Sequence, residues 1–171
     1  MTFKGIFAHF IFGHESFWYS KKLIVSSTRY NIPMQIGKVP KFLALPVIRD
    51  ERGAMSVIEF EELGMTMKRA YFLFDVQAEA VRGGHAHKEL VQLLLVPSGS
   101  YQVRLQDGLG KEYRFSMRNP STGLIVPPGF WRDLDGFSSG AVCLVFASAP
   151  YEESDYIRDF EKFCRWKARC D

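Results

Sequence analysis

SYQVRLQDGLGKEYRFSM, residues 100–117, predicts a β-hairpin. Apolar and polar residues alternate from Tyr101 to Gln106, which is the two-residue period of a strand with one buried face. Asp107 and Gly108 then supply residue types that tolerate the left-handed backbone of a tight turn. We therefore expect two half-buried antiparallel strands at the centre of the fold.

Six further runs have the length and composition of short strands, and turn residues separate them at close spacing. Many short strands with no long helix between them favour an all-β sandwich or barrel. The six runs are residues 42–48, 54–60, 67–76, 89–96, 122–126 and 141–147.

The last segment, ESDYIRDFEKFCRWKARC at residues 153–170, has a different period. Tyr156, Ile157, Phe160 and Phe163 lie at helical spacing, and basic residues follow near the end, where a helix favours positive charge. The segment predicts a C-terminal α-helix that begins near Glu153 or Ser154 and packs on the sheet.

The chain length of 171 residues suits a single domain, since domains commonly have about 100–200 residues. Residues 1–37 are aromatic-rich without a sustained period, and the prolines of NIPMQIGKVPK, residues 31–41, follow. We expect residues 1–37 to be an irregular N-terminal extension or arm and residues 38–171 to form the folded domain.

Charge and cysteine content exclude several classes of protein. The net charge is only +3 and the arginines are spread along the chain, which is compatible with an anionic small ligand and disfavours a nucleic-acid partner. The three cysteines show no C-x-x-C spacing, so we expect neither a disulfide framework nor a zinc knuckle, and a reducing cytoplasm. No apolar run reaches the roughly 18 residues of a membrane span, so we expect no membrane partner.

The stretch RGGHAHK, residues 82–88, contains the side chains best suited to chemistry. On a strand, His85 and His87 would share one face, with Ala86 on the other. The glycine pair Gly83-Gly84 would leave room for backbone to approach a ligand, and Arg82 offers the planar fork that suits a phosphate. The pair could bind a metal, transfer protons, or lie idle on a solvated surface.

The histidine pair, a glycine twelve residues later at Gly99, and PPGFWR at residues 127–132 resemble the two-part framework of the cupin superfamily, which implies a jelly-roll barrel. In metal-binding cupins two histidines, a glutamate and a third histidine hold the ion. Here Gln92 and Arg132 stand at the last two positions. A permanent cation repels a divalent metal, so we expect no metal and histidines free for acid–base work.

A longer resemblance extends from about Phe42 to Phe163. This region is similar to the metal-free cupins of the sugar 3,4-ketoisomerase or WxcM-like type, which act on dTDP-4-keto-6-deoxyglucose in the biosynthesis of the deoxyamino sugars of O-antigens, S-layers and antibiotics. The matching motifs are DERG (50–53), KRAYFLFD (68–75), RGGHAHKELVQLLL (82–95), GLIVPPGFW (123–131), DGFSS (135–139) and YEESDYIRDFEKF (151–163).

The resemblance implies an isomerase that needs no cofactor. A 4-keto sugar has an acidic hydrogen at carbon 3, and its removal gives an enediol that can be reprotonated at carbon 4. The resemblance implies that His87 is the base and that His85 moves or orients the hydroxyl protons, with the two roles open to exchange. Positioned acid–base groups of this kind contribute about 100-fold to 10,000-fold in rate.

The same resemblance, with residue chemistry, predicts how the dTDP-linked keto sugar is held. Arginines suit the diphosphate, a tyrosine hydroxyl suits a sugar or a phosphate oxygen, and a glutamine amide is a neutral hydrogen-bonding group for the cavity. Trp131 would line the sugar site or cap the barrel, and Arg132 stands where familiar members have histidine, so it would contact an enediolate oxygen, a phosphate or solvent. The predicted substrate-binding residues are Arg82, Arg69, Tyr71, Gln92, Arg52, Trp131 and Arg132.

Three other functions remain open from the sequence. A dTDP-sugar 3,5-epimerase uses the same carbon acidity, although the RGGHAHKE motif favours the isomerase. A regulatory cupin that binds a sugar nucleotide without catalysis would explain the missing third histidine. Metal-dependent oxygenase chemistry is the least favoured, because two ligands are absent. The family resemblance also implies a homodimer.

Overall fold

A computed structural model describes residues 24–26, 37–61 and 63–170, which are mostly β-structure. The strands are β1 (Ile24–Ser26), β2 (Lys41–Ala44), β3 (Val47–Asp50), β4 (Gly53–Ser56), β5 (Arg69–Leu73), β6 (Arg82–His87), β7 (Gln92–Ser98), β8 (Tyr101–Gln106), β9 (Glu112–Met117), β10 (Thr122–Val126), β11 (Trp131–Asp135), β12 (Val142–Ala147) and β13 (Tyr156–Ile157). A short 3-10 helix (Glu153–Asp155) precedes β13, and one α-helix, α1 (Phe160–Cys170), follows it.

Two five-stranded antiparallel sheets face each other. The first sheet has the order β2-β10-β7-β12-β5 and the second the order β13-β6-β11-β8-β9, while β1, β3 and β4 form a small third sheet. Leu94 and Val145 of the first sheet and Leu105 and Leu134 of the second share one buried apolar cluster. The predicted all-β jelly roll with a C-terminal helix is confirmed.

The hairpin at residues 100–117 forms as the alternation predicts. β8 pairs with β9 from Tyr101 opposite Met117 to Gln106 opposite Glu112, and its buried side chains alternate with more exposed ones. Gly108 has φ +76°, so the left-handed turn residue is correctly predicted. The Asp107 carboxylate accepts hydrogen bonds from the backbone N–H groups of Leu109 and Lys111 and closes the five-residue connection.

The outer face of the first sheet is also apolar, because the segment after β4 covers it. Leu63 and Met65 of that segment pack against Leu43, Leu93 and Ile125 of the sheet. Both faces of β7 are therefore buried, which explains why LLLV at residues 93–96 is a continuous apolar run instead of an alternating one. The predicted strand 54–60 is correspondingly short, since only Gly53–Ser56 pairs with β3.

The predicted start of the C-terminal helix is wrong. Residues 153–155 form a 3-10 turn, and Tyr156 and Ile157 pair with β6 as an edge strand of the second sheet. The α-helix begins only at Phe160, after Asp159 has capped it by accepting a hydrogen bond from the Lys162 N–H at 2.7 Å. The helix does pack on the sheet, since Phe163 is fully buried beside Trp131.

Other differences from the expected elements are smaller. The predicted run 42–48 is divided into β2 and β3, and β11 lies outside the predicted runs. The described part of the predicted arm is β1, which pairs with β3, and the remainder of residues 1–36 lies outside the described residues. Within the described part of the chain, no helix is long and apolar enough to span a bilayer.

Candidate active site

A cavity of about 410 Å³ lies between the two five-stranded sheets, within the ~300–1,000 Å³ range of small-molecule sites. Leu73, Leu94, Leu134 and Val145 give it an apolar floor. The polar groups that line it are Tyr71 and Gln92 from the first sheet, His85, Arg132 and Tyr156 from the second, and the more exposed Arg82 and Arg158.

A bulge between β6 and β11 positions the polar residues of the second sheet. His85 pairs with Arg132, but the next pair joins Gly83 to Asp133, so Gly84 is an extra residue on β6. A Cβ atom on Gly83 would lie 2.5 Å from the Arg132 carbonyl oxygen, and Gly83 has φ +96°. The glycine pair, expected to make room for a ligand, here also makes room for the backbone of β11.

His85 and His87 share one face of β6, as the strand period predicts. Their ring centroids are 4.9 Å apart, while Ala86 points to the opposite side and packs in the cluster under α1. The two rings differ in access. His85 lines the cavity, whereas His87 is fully buried and the Tyr156 ring lies 4.2 Å from it.

Hydrogen bonds select the same tautomer for both imidazoles. The Nδ1 atom of His85 is 3.0 Å from the Gly83 carbonyl oxygen, and that of His87 is 2.7 Å from the Asp155 carboxylate. Both partners can only accept, so each Nδ1 carries the hydrogen and each Nε2 has a free lone pair. The His87 Nε2 is buried and has no hydrogen-bond partner among the described residues.

The surroundings keep both imidazoles neutral. Burial, and then the Arg132 cation, lower the pKa of His85 to about 4. Burial, Arg132 and His85 lower the pKa of His87 to about 3, against the opposing effect of Asp155. At neutral pH the contact between His87 and Asp155 is therefore a hydrogen bond from a neutral ring and not an ion pair. Both Nε2 atoms are therefore unprotonated at neutral pH, as a proton acceptor must be.

The Arg132 side chain reaches from β11 of the second sheet to β7 of the first. Arg132 is 2% exposed, and its guanidinium donates hydrogen bonds to the Gln92 side-chain oxygen and to the Phe130 carbonyl. Burial lowers the pKa of Arg132 to about 10, which leaves it charged at neutral pH. Gln92 in turn donates a 2.8 Å hydrogen bond to the Tyr71 hydroxyl. This donor set, with a fixed cation at its centre, does not fit a divalent metal.

Of the other predicted substrate-binding residues, Arg82 and Tyr71 line the cavity, whereas Arg69 does not. The Arg69 guanidinium is 5.3 Å from the Tyr71 ring centroid and 5.6 Å from that of Tyr151. Its buried Nε atom has no hydrogen-bond partner among the described residues.

Trp131 and Arg52 do not line the cavity of this chain. Trp131 alternates with Arg132 along β11, so its ring lies on the outer face and packs against Phe160 and Phe163 of the helix. The sequence left open whether Trp131 lines the sugar site or caps the barrel, and the structure has it outside the cavity, packed against the helix. Arg52 is at the exposed turn between β3 and β4, where it forms an ion pair with Asp50.

Three residues of the site escaped the sequence analysis: Asp155, Tyr156 and Arg158. Tyr156 lies over both histidines, and the Arg158 guanidinium lies 4.4 Å from the Tyr156 ring centroid while Glu153 holds it by two hydrogen bonds. The helical spacing of residues 156–163 concealed these roles. The available signal was ESDYIR itself, an acidic and aromatic cluster before the true helix cap at Asp159.

Comparison with known proteins agrees with this geometry. The family described as FdtA, WxcM-like, C-terminal matches residues 38–168. The TDP-4-oxo-6-deoxy-alpha-D-glucose-3,4-oxoisomerase of Aneurinibacillus thermoaerophilus is 38% identical over 130 residues, which cover 75% of this chain and 93% of that protein.

Solved structures show the same fold. A sugar 3,4-ketoisomerase of Thermoanaerobacterium thermosaccharolyticum in complex with TDP superposes with a TM-score of 0.74 at 32% identity, covering 77% of this chain and 96% of that one. A TDP-quinovose 3,4-ketoisomerase of Campylobacter jejuni gives 0.70 at 39% identity, covering 75% and 98%. A dTDP-4-dehydrorhamnose 3,5-epimerase of Bacillus anthracis shares only the fold, with 17% identity and a TM-score of 0.61 over 79% of this chain and 82% of that one.

Proposed function

Since the chain belongs to the WxcM-like family, we propose that it is a sugar-nucleotide 3,4-ketoisomerase that converts dTDP-4-keto-6-deoxyglucose to a dTDP-3-keto-6-deoxyhexose. The observation that carries the proposal is the neutral His85 imidazole, which faces a cavity that also contains a buried, charged Arg132. An unprotonated base, and a cation that no carboxylate among the described residues pairs with, would both promote a reaction through an enediolate.

The reaction moves one proton between carbons and another between oxygens. The base takes the hydrogen of carbon 3, the electron pair of that bond forms the double bond between carbons 3 and 4, and the ketone oxygen on carbon 4 becomes an enediolate oxygen. This oxygen is then protonated, carbon 4 receives a proton, and the hydroxyl on carbon 3 loses its proton to become the new ketone. Atoms and electrons balance without an external oxidant or reductant.

We assign the base to His85. The family resemblance favoured His87 as the base but left the two roles open to exchange. The reason is access: His85 lines the cavity, whereas His87 is fully buried under Tyr156. Asp155 fixes the tautomer and the orientation of His87. His87 is thus the second imidazole of the pair and exchanges protons behind the first.

The arginines at the mouth suit the diphosphate of the nucleotide. Arg82 and Arg158 both line the cavity and are partly open to solvent, so they can neutralise phosphate oxygens without a large desolvation cost. Arg158 already makes a bidentate pair with Glu153. Binding of a diphosphate would therefore replace the Glu153 carboxylate or share Arg158 with it. Arg69, whose guanidinium lies 5.3 Å from the ring centroid of Tyr71, is a third candidate.

The function is tested by incubating the protein with dTDP-4-keto-6-deoxyglucose in deuterated water and following the ring protons by NMR. Movement of the ketone to carbon 3, with deuterium entering at carbon 4, is the expected result. Deuterium exchange at carbon 5 would indicate the epimerase instead. Tight binding with no exchange at any carbon would indicate a regulatory protein.

The base assignment is tested by His85→Asn and its matched control His87→Asn. His85→Asn is expected to lower turnover by about 100-fold to 10,000-fold while the affinity for TDP stays the same. His87→Asn is expected to lose less, because its ring does not reach the cavity. If His87→Asn lost more than His85→Asn in equally folded proteins, the original assignment would be restored.

The native assembly that we propose is a homodimer. Phe72 and Phe74 support it, because they are 60% and 58% exposed at β5, which is an edge strand of the first sheet among the described residues. Light scattering on a sizing column is expected to give twice the mass of one chain. The double variant Phe72→Ser/Phe74→Ser is expected to run as a monomer, and a wild-type monomer would refute the dimer.

The cytoplasm is the proposed location. A nucleotide-activated substrate supports it, as do Cys143, Cys164 and Cys170, none of which is in a disulfide. Fractionation of the native cells is expected to recover the protein with cytoplasmic markers.

A further inference from the structure

We infer that Tyr71 is a catalytic hydrogen-bond donor to the reacting sugar oxygen, and that Arg132 and Gln92 are positioning residues that force its hydroxyl hydrogen into the cavity. The inference rests on the proposed ketoisomerase function and adds a group on the wall opposite the histidines. It is carried by the polarity of one chain of hydrogen bonds, from Arg132 to Gln92 to Tyr71.

The first bond of the chain has only one possible direction. A guanidinium has hydrogen-bond donors and no acceptor, so the Gln92 atom that faces Arg132 must be the amide oxygen. This assignment leaves the Gln92 Nε2 group for the other partner. The orientation of the amide, which is often ambiguous, is therefore settled by its charged neighbour.

The second bond then follows in direction. The Gln92 NH₂ group can only donate, so the Tyr71 hydroxyl oxygen must accept at 2.8 Å. The Tyr71 hydrogen cannot point back at Gln92, and this hydroxyl donates to no group within the part of the chain that the structure describes. Because Tyr71 and Gln92 both line the cavity, the free hydrogen is available to a ligand there.

The surroundings keep the Tyr71 hydroxyl a donor. Burial raises the pKa of Tyr71, against the opposing effect of the Arg132 cation, so the hydroxyl stays protonated at neutral pH. The Arg132 charge also polarises Gln92, and a polarised chain of hydrogen bonds strengthens the donor at its end.

The position of Tyr71 relative to His85 selects the oxygen that it meets. Tyr71 is on β5 of the first sheet and His85 is on β6 of the second, so the two face the same cavity from opposite walls. A sugar bound between them would present a carbon-bound hydrogen to His85 and an oxygen attached to a ring carbon to Tyr71. A donor there acts most strongly on the enediolate, because that oxygen gains charge during the reaction.

The substitution Gln92→Glu tests the direction of the hydrogen bond between Gln92 and Tyr71, and it leaves the shape of the side chain almost unchanged. The new carboxylate still accepts from Arg132 and holds it at least as firmly, but it cannot donate, so Tyr71 would turn its hydrogen toward Glu and away from the sugar. A structural role for Gln92 predicts little loss. The inference predicts a fall in kcat of about 100-fold with KM nearly unchanged, the size of effect seen when one oxyanion donor is removed.

Tyr71→Phe should lower kcat by a similar factor, and the double variant Tyr71→Phe/Gln92→Glu should be about as slow as either single variant, since both remove the same hydrogen bond. Gln102→Glu makes the same substitution at an exposed residue of β8 and is the matched control, with kcat expected within about twofold of wild type. Loss of the carbon 3 proton in deuterated water, measured alongside, should slow by the same factors as kcat.

Three results would overturn the inference in an active wild-type enzyme. One is a Gln92→Glu variant with normal kcat. Another is a double variant whose losses multiply, because the new charge would then act on the histidines and not through Tyr71. The third is a raised KM with normal kcat in Tyr71→Phe, which would place the hydroxyl on the phosphates. A wild-type protein that leaves the substrate unchanged would instead refute the function itself.

Discussion

The space between the two sheets has an apolar half and a polar half, and the same strands line both. On β7, Leu94 and Val96 lie in the apolar cluster while Gln92 enters the hydrogen-bond chain of the site. On β11, Leu134 belongs to that cluster and Arg132 to the site. On each strand, a residue of the apolar core and a residue of the site are therefore only two positions apart.

The two halves have opposite effects on stability. Fully buried side chains such as Tyr101 and Met117 in the apolar half stabilise the fold by leaving water. In the polar half, a buried Arg132 without a carboxylate partner and a His87 Nε2 without a hydrogen-bond partner among the described residues both cost free energy. The polar half contains the groups suited to catalysis, and the burial of the apolar half stabilises the fold that positions them.

The largest effect on stability is expected from Met117→Ala in the apolar half. Met117 is 2% exposed, and its truncation should lower the free energy of unfolding by about 2–5 kcal/mol, measured by urea denaturation. Met55→Ala, at an exposed residue of β4, is the matched control and should change it by less than about 0.5 kcal/mol. Turnover of folded Met117→Ala should stay near wild type. A loss of more than about tenfold would contradict the separation of the halves.

The polar half should respond in the opposite way to the double variant Arg132→Met/Gln92→Leu. It removes the buried cation together with the oxygen that accepts from it, so the free energy of unfolding is expected to be unchanged or higher. Turnover should fall by at least about 100-fold, because the enediolate loses its cation. Arg104→Met, at the partly exposed partner of Asp133, is the control and should keep turnover. A destabilised double variant would show that Arg132 supports the fold.

The smallest expected effect is a pH dependence of stability. The pKa values of His85 and His87 are about 4 and about 3 in the folded chain, below the ordinary value of 6.5. Between the folded and the ordinary pKa, the unfolded chain therefore binds more protons than the folded chain. The free energy of unfolding should fall by about 1–3 kcal/mol as the pH drops from about 6.5 to about 5.

The histidine double variant is the control for this pH effect. His85→Asn/His87→Asn should lack most of the slope between about pH 6.5 and pH 5, where carboxylates contribute little. The kcat/KM of the wild type should stay level down to about pH 5 and fall below it, as His85 is protonated. A midpoint near pH 6.5 would show that the base is not in this buried environment.

Local patterns predicted much of the fold and the centre of the site. The alternation at residues 101–106 and the left-handed Gly108 predicted the hairpin, and the spacing of His85 and His87 predicted that they share a face. These predictions hold because the strand period and the turn geometry depend only on neighbouring residues. The same period could have separated Trp131 from Arg132, since adjacent residues of a strand cannot both face the cavity.

The C-terminal segment shows where local patterns fail. Tyr156 and Ile157 suit a helix by spacing and a strand by residue type, and their pairing with His87 and Ala86, about seventy residues earlier in the chain, made the choice. The pairing brought Tyr156 over the histidines and Asp155 to His87. No short window of sequence contains that contact.

Residue patterns alone were enough to predict the strand-rich class and the shared face of the two histidines, and they show that the metal-binding glutamate and histidine are missing at positions 92 and 132. Residue type and the two-residue period act within a few positions, so they can be read locally. The folded chain was needed to show which imidazole lines the cavity, that Arg132 reaches Gln92 on the opposite sheet, and which way the Tyr71 hydrogen points. Those features depend on burial and on hydrogen bonds between distant segments, which exist only once the two sheets have closed on each other.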